Sequence, residues 1–452
     1  MEKINIAIDV FPYKENIWSI CDYGGEQIYS KLALPLFITE KGTVKPFAAE
    51  VFEQSTNEVK IEIKRNLFWS NGDNVKAEDY VRAIRYVISD GSNRYKKILS
   101  ALIKDEKAIV AHDDYCFSLR TSWYDPFITQ HLTLINFSPM HVSNREIYAG
   151  PYILQSKNEN VIKLIANKKF SLTNESEFVK EIDYVLVAED LDGQAFFSGI
   201  VDVSSNTALD LNKYQQFKSR KEFFSDNDNL VMLLSPGNKF DQIPDDVKMR
   251  FVSAIQREAI AAKFNNALEP FYSWMALYYD GEYEVAENNA SLHINSFSLD
   301  VSYEDFYPNK DVLGFIKSQV AEHNIHLNLC QDNYGDWQSD CHLRFEIRKA
   351  PQSSPINIIR SDLSRLDKNH EDYLYLKKLY SCLHVKELSS QQGKIFKKID
   401  AVLRKHGLCI PLFLFPTGFF CVSNLAEASI FSPGKRVQVK KDDENKVECI
   451  RT

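Results

Sequence analysis

The chain has 452 residues with 54 basic and 62 acidic side chains, a formal charge of -8. That length exceeds one ordinary core, which stops growing at about 250–300 residues, so two or three domains are expected. A hydrophobic fraction of 44% and a charged fraction of 26% exclude a disordered chain, and the acidic balance lacks the concentrated basic surface that a nucleic-acid backbone rewards.

Residues 4–10 (INIAIDV) read as an apolar strand. Residues 27–36 read as a helix broken by Pro35. Residues 59–63 (VKIEI) alternate with the period of a half-buried strand. Asn71-Gly72 marks a turn, and Tyr80, Ile84 and Val87 predict a helix over 77–88. Residues 115–119 and 162–165 are further strands. After a strand at 182–190, residues 194–197 form a short helix stopped by Ser198-Gly199, and 230–234 a buried strand. Pro244 opens a helix with Asp245 and Asp246 in its first turn, where carboxylates favour the dipole; its apolar face runs from Val247 through Phe251, Val252 and Ile255 to Ala259. A helix at 312–320 precedes strands at 325–329 and 342–347. The last helix opens on a Ser389/Gln392 capping box and stops at Gly407, before a strand at 410–415. Helices alternating with strands predict α/β organisation, and residues 440–446 read as a solvated end.

Enzyme signatures are missing. There is no GxGxxG, GxxxxGK[ST] or GxSxG. His370-Glu371 begins like HExxH, but position 374 is Leu, so the second ligand is lacking. His326, Cys330, Cys341 and His342 are the best metal-like cluster, on strands that could lie side by side, yet their spacing fits no structural zinc pattern; core thiols are the simpler reading. No cofactor is expected. The eight cysteines (Cys21, Cys116, Cys330, Cys341, Cys382, Cys409, Cys421, Cys449) are scattered and read as reduced thiols. No secretory h-region is visible near the start, and no apolar run approaches the ~18 residues of a membrane helix. The sequence as written therefore predicts a cytoplasmic protein without membrane insertion, or a periplasmic or cell-surface one if its leader has been trimmed.

Several segments in order resemble the bacterial family 5 extracellular solute-binding proteins, the receptors for dipeptides, oligopeptides and nickel. Residues 42–52 (GTVKPFAAEVF) are similar to the family's "dG…P.LAesw". Residues 64–81 (KRNLFWSNGDNVKAEDYV) share Arg65, Trp69, Ser70, Gly72, Ala77, Glu78 and Asp79 with its next motif. Gly150-Pro151-Tyr152 resembles GTGPY, with Ala149 in place of Thr and Asn167 following. Residues 197–203 (FSGIVDV) resemble "LlsGevDi", residues 247–260 keep Ala254, Ile255, Arg257 and Glu258, and 410–412 resemble "iPL". These are scaffold positions: Gly150 for a backbone conformation closed to side chains, Asp202 to cap or orient a segment, Trp69 for packing.

The resemblance implies an α/β, two-lobed periplasmic-binding-protein-like fold (class II). The first lobe would comprise residues 1–190 plus 415–452, with an inserted subdomain near 45–145, and the second 191–414. It implies no enzyme, a small solute trapped between the lobes by hinge closure, and an ABC permease as partner. In peptide receptors an Asp in the second lobe pairs with the peptide amino terminus. Here that place, 348–354, reads RKAPQSS, with Arg348 and Lys349 and no carboxylate, so an anionic or neutral polar solute is expected over free peptides, unless Asp362 or Asp367 moves in. Nickel receptors carry an Arg where this chain has Pro139-Met140-His141. The spacing also resembles the solute-binding domain of sugar-phosphate-stress transcriptional regulators without its DNA-binding domain, so the alternative is a cytoplasmic solute sensor with no direct nucleic-acid binding. Candidate ligand contacts are Tyr13 and Trp18 after the first strand, His141, Asn238 after strand 230–234, Trp274, and Phe415 and Phe419 around Pro416; Trp337 reads as structural.

Overall fold

The computed structural model describes residues 2–440 except 41, 94, 101, 104, 173–176, 279–294, 336–339, 351–354, 357–358, 360–362, 364–365, 367–368, 386–390 and 407–409. Trp337, Ser389, Gly407, Asp362, Asp367, Cys409 and Cys449, the end of the 348–354 segment and residues 441–446 therefore lie outside the described residues.

Lys3–Ile8 runs parallel to Glu181–Leu186, which pairs antiparallel with Val161–Ala166 and, beyond it, Tyr152–Lys157. A second four-stranded sheet holds Ala49–Gln54, Glu58–Ile63, Cys116–Arg120 and Ile109–Ala111. Glu58–Ile63 buries Val59, Ile61 and Ile63 in strict alternation, as its sequence requires. The helix Ala77–Ser89 covers this sheet and buries Tyr80, Ile84 and Val87. Trp69 is buried and donates its indole N–H to Asp79 at 3.3 Å, while Asp79 also accepts from the Lys76 amide and Arg82. One continuous core joins these elements, from Ile4 to Val203 and again from Phe419 to Val437.

A six-stranded sheet forms the other half, in the order Glu269–Pro270, Ile410–Phe420, Phe223–Pro236, Leu343–Lys349, Phe297–Glu304, Ile325–Asp332. Its core runs from Leu209 to Phe420 and admits Phe127 from the opposite lobe. Among the described residues, two segments cross between the halves. Val203 bridges Ile6 and Cys421, and the Phe420 amide donates to Ser204 Oγ at 2.9 Å. Asp202 accepts the Asn5 amide at 2.7 Å, which fixes the crossing on the first strand.

Several expectations change. The helix expected at 27–36 is Tyr23–Tyr29, because Asp22 accepts the Gly25 amide at 2.6 Å and starts it early. The helix after Pro244 ends at Ala254, where Ile255 turns extended and the Gln256 amide bonds to Gln319; a separate helix, Arg257–Lys263, follows. Gly150 is needed for a different reason from the one expected. Its φ is not positive, but an added Cβ would stand 2.4 Å from the Leu32 carbonyl carbon. The strands carrying His326/Cys330 and Cys341/His342 are not neighbours, since Phe297–Glu304 lies between them. His342 instead accepts the Asp300 amide at 3.0 Å, and Cys341 meets Ser302 at 3.3 Å. The six described cysteines are unbridged, and no described helix is long and apolar enough to cross a membrane.

Candidate functional site at the junction of the lobes

In an open α/β sheet the carboxyl ends of parallel strands and the loops beyond them form the ligand crevice. Both halves of this chain turn such ends toward each other. The first strand ends at Ile8 and leads to Asp9. Opposite, Phe297–Glu304 and Ile325–Asp332 lie parallel and end at Glu304 and Asp332.

The loops beyond these ends touch. Tyr13 meets Tyr334 edge-on at 6.4 Å, and Tyr334 meets Phe306 at 5.7 Å. Gly335, with φ of +84°, lies so close under the Tyr13 ring that a Cβ would come within 2.2 Å of it. Its amide donates to Glu304 at 2.9 Å. The crossing segment adds a polar chain. Gln27 donates to Asn206 at 2.6 Å, Asn206 donates to the Tyr23 hydroxyl at 2.7 Å, and Thr207 donates to Asp9 at 2.8 Å.

Carboxyl groups dominate the electrostatics. Burial raises Asp9 above the ordinary carboxylate range, against the pull of the Thr207 hydroxyl. Burial raises Asp22 too, against the Gly25 amide and the Tyr334 hydroxyl, and raises Glu304 against the Gly335 amide. The Tyr334 phenol is pushed far up by burial and by Asp22, Glu304 and Asp9 around it. Two cations lie close by among the described residues, Lys14 over the Tyr13 ring at 4.7 Å and Arg344. Arg344 is 5% exposed and bridges Asp332 at 2.7 Å and Glu304 at 3.3 Å. The two cations expected to repel an ammonium are already paired. Arg348 forks onto Glu346 with two bonds of 2.7 Å. Lys349 stands 3.6 Å from Glu26 and over the Tyr23 ring.

Of the residues singled out in the sequence, only Tyr13 reaches this junction. Trp18 is 1% exposed in the first core, its indole N–H satisfied by the Ser138 carbonyl at 3.0 Å. His141 packs edge-on against Trp69 at 5.1 Å and accepts the Ser143 amide, so it braces the turn at Asn71-Gly72. Asn238 follows a strand that runs away from the first lobe, since its last residue, Pro236, pairs with Leu343 at the amino end of the neighbouring strand; the expected lobe-facing loop is at the far end. Trp274 is buried in the second core. Phe419 belongs to the first core, beside Phe224 and Phe431. Phe415 lines a separate cavity of about 640 Å³ whose walls come only from residues 214–270 and 414–417, Lys218, Glu258 and Glu269 among them. Asp9, Asp22, Glu304, Arg344 and Tyr334 escaped the sequence reading. The available signal for Asp9, Glu304, Arg344 and Tyr334 is their position at or beside strand ends, and for Asp22 its place as the N-cap of the helix Tyr23–Tyr29.

The family model for bacterial extracellular solute-binding proteins, family 5 (middle), matches residues 43–338. The chain belongs to this family. A Haemophilus influenzae protein, itself named only for presumed binding, is 21% identical over 442 residues, covering 87% of this chain and 80% of that one. The H. influenzae OppA structure in complex with RPPGFSPFR superposes with a TM-score of 0.80 at 15% identity, covering 97% of this chain and 99% of the other. The Escherichia coli murein tripeptide binding protein MppA superposes at 0.79 with 12% identity and coverages of 97% and 99%, against 0.68 for its unliganded open form. The class II binding-protein fold is thus the fold of this solute-binding chain. The regulatory-domain alternative has no counterpart among these matches.

Proposed function

We propose that this protein is the extracytoplasmic solute receptor of an ABC importer and that it holds its ligand, without catalysis, at the junction built from residues 9–23, 204–207, 304–306 and 334–335. The family match carries this reading, and the meeting of strand ends from both halves at Tyr13 and Tyr334 supports it. The family is described as extracellular, which favours the exported location over the cytoplasmic one. The first lobe is read as residues 1–203 plus 419–440 and the second as 208–418, with the crossings between them, following the two cores.

On ligand class the charges favour a revision. The preference for an anionic solute rested on Arg348 and Lys349, which are paired with Glu346 and Glu26. Burial disfavours the ionised forms of Asp9, Asp22 and Glu304, even with Arg344 beside Glu304, and a ligand ammonium would offset that burial. We therefore read the site as favouring a polar solute with a free amine, short peptides included. Calorimetry against di- and tripeptides beside sugar phosphates tests this. Binding with Kd of about 1 μM, lost on N-acetylation of the ligand and weakened by Asp22→Asn, is the expected result. Heat with sugar phosphates alone would overturn the amine reading.

A further inference from the structure

The motif His370-Glu371 lacks a second histidine at position 374, but the fold supplies one from elsewhere. His370 caps the helix Glu371–Leu383 by accepting the Asp372 amide at 3.1 Å, which holds its ring beside the first turn. The helix Gln392–His406 packs antiparallel to it and brings its last residue, His406, to the same place. His406 Nε2 lies 2.9 Å from Asp372 Oδ2, and the two imidazoles stand edge-on at 5.3 Å. One donor atom from each of His370, Asp372 and His406 falls within 4.8 Å of the others. Among the described residues this is the one group of three such side chains that converges.

We propose that His370, Asp372 and His406 form a binding site for a divalent transition-metal ion, built from none of the residues of the solute junction, which ties the start of one helix to the end of the other. Two imidazoles and one carboxylate are a donor set for Zn²⁺, Co²⁺ or Ni²⁺, whereas Ca²⁺ and Mg²⁺ seek oxygen shells. Bonds of about 2.1 Å in tetrahedral geometry put donor atoms about 3.4 Å apart. His370 Nδ1 stands 3.8 Å from Asp372 Oδ2, near that spacing, while the 2.9 Å contact of His406 with Asp372 would have to open to it; the 44% exposure of the His370 side chain leaves space on its outer side. A fourth position stays open to water. The site is accessible, since Asp372 and His406 keep 15% and 21% of their side-chain surfaces in solvent.

Lys405 now occupies Asp372 at 2.9 Å. An ion would replace the Lys405 ammonium, so Lys405 is a competitor rather than a ligand. That gives a test with opposite signs. Zn²⁺ is titrated calorimetrically into the full chain and into His370→Gln, His406→Gln and Lys405→Gln variants. One ion per chain is expected, with affinity lowered about 10- to 100-fold in each histidine variant. In Lys405→Gln affinity should rise by about two- to fivefold. The melting temperature of the wild type should climb with Zn²⁺ and that of His370→Gln should not. Should His406→Gln misfold, the exposed His370 still decides the matter. No heat at about 1 mM Zn²⁺, or one affinity shared by all four proteins, would overturn the site.

Discussion

Gly150 shows how a family position acquires its meaning from a contact. The Leu32 carbonyl accepts the Gly150 amide at 3.1 Å, and Asn167 donates to the Gly150 carbonyl at 2.9 Å. A methyl group there would collide with backbone, which cannot rotate away. Gly150→Ala should cost about 3 kcal/mol or more in urea unfolding. Gly72→Ala meets only the flexible Lys169 side chain, at an ordinary contact distance of 3.7 Å, but has a φ of +97°, and should cost about 1–2 kcal/mol. Equal costs would show that φ, and not the approach of Leu32, selects glycine at 150. Asp79 makes a second residue-scale case. Its carboxylate accepts from an indole, an amide and Arg82, all near the start of one helix. Asp79→Ala leaves those donors without their anion and should destabilise by about 3 kcal/mol.

At the scale of elements, ion pairs fasten distant parts of the chain. Glu40 receives Lys435 from near the end of the sequence and Lys45 from its own hairpin, at 2.8 Å for the latter. Hydrogen bonds to these two lysines pull the Glu40 pKa from 4.5 down to about 2. A depressed carboxyl stabilises above its unfolded pKa and loses that contribution as pH falls toward the folded one. The stability gap between wild type and Glu40→Gln should therefore be full above pH 4.5 and fade between 4.5 and about 2; a gap that grows on acidification would refute the pairing. Elements of this kind were largely legible. Glu58–Ile63 and Ala77–Ser89 declare themselves by period, because each has one buried face. The helix after Pro244 was overextended because its apolar spacing continues through Ile255, while the break is set by Gln319, more than sixty residues away in sequence. Candidate site residues were less legible for the same reason. A buried Trp18 and a junctional Tyr13 are both aromatic residues in one loop, and what separates them is whether Ser138 or Tyr334 lies opposite. The His370 and His406 pairing likewise depends on two helices meeting.

For the whole molecule, the proposed function requires that two lobes close on a solute. The contact of Tyr13 with Gly335, where no side chain fits between ring and backbone, suits a closed arrangement. Gly335→Ala should force these loops apart and shift the population toward the open state, at a cost in solute affinity of about tenfold or more. Binding can stabilise the closed form only through its preference for that form. The most direct measurement is small-angle X-ray scattering of the full chain during titration with a solute that calorimetry has shown to bind. The expected radius of gyration falls to a plateau at saturation in the wild type and starts larger in Gly335→Ala. A radius unchanged across a saturating titration in both proteins would contradict closure around a ligand.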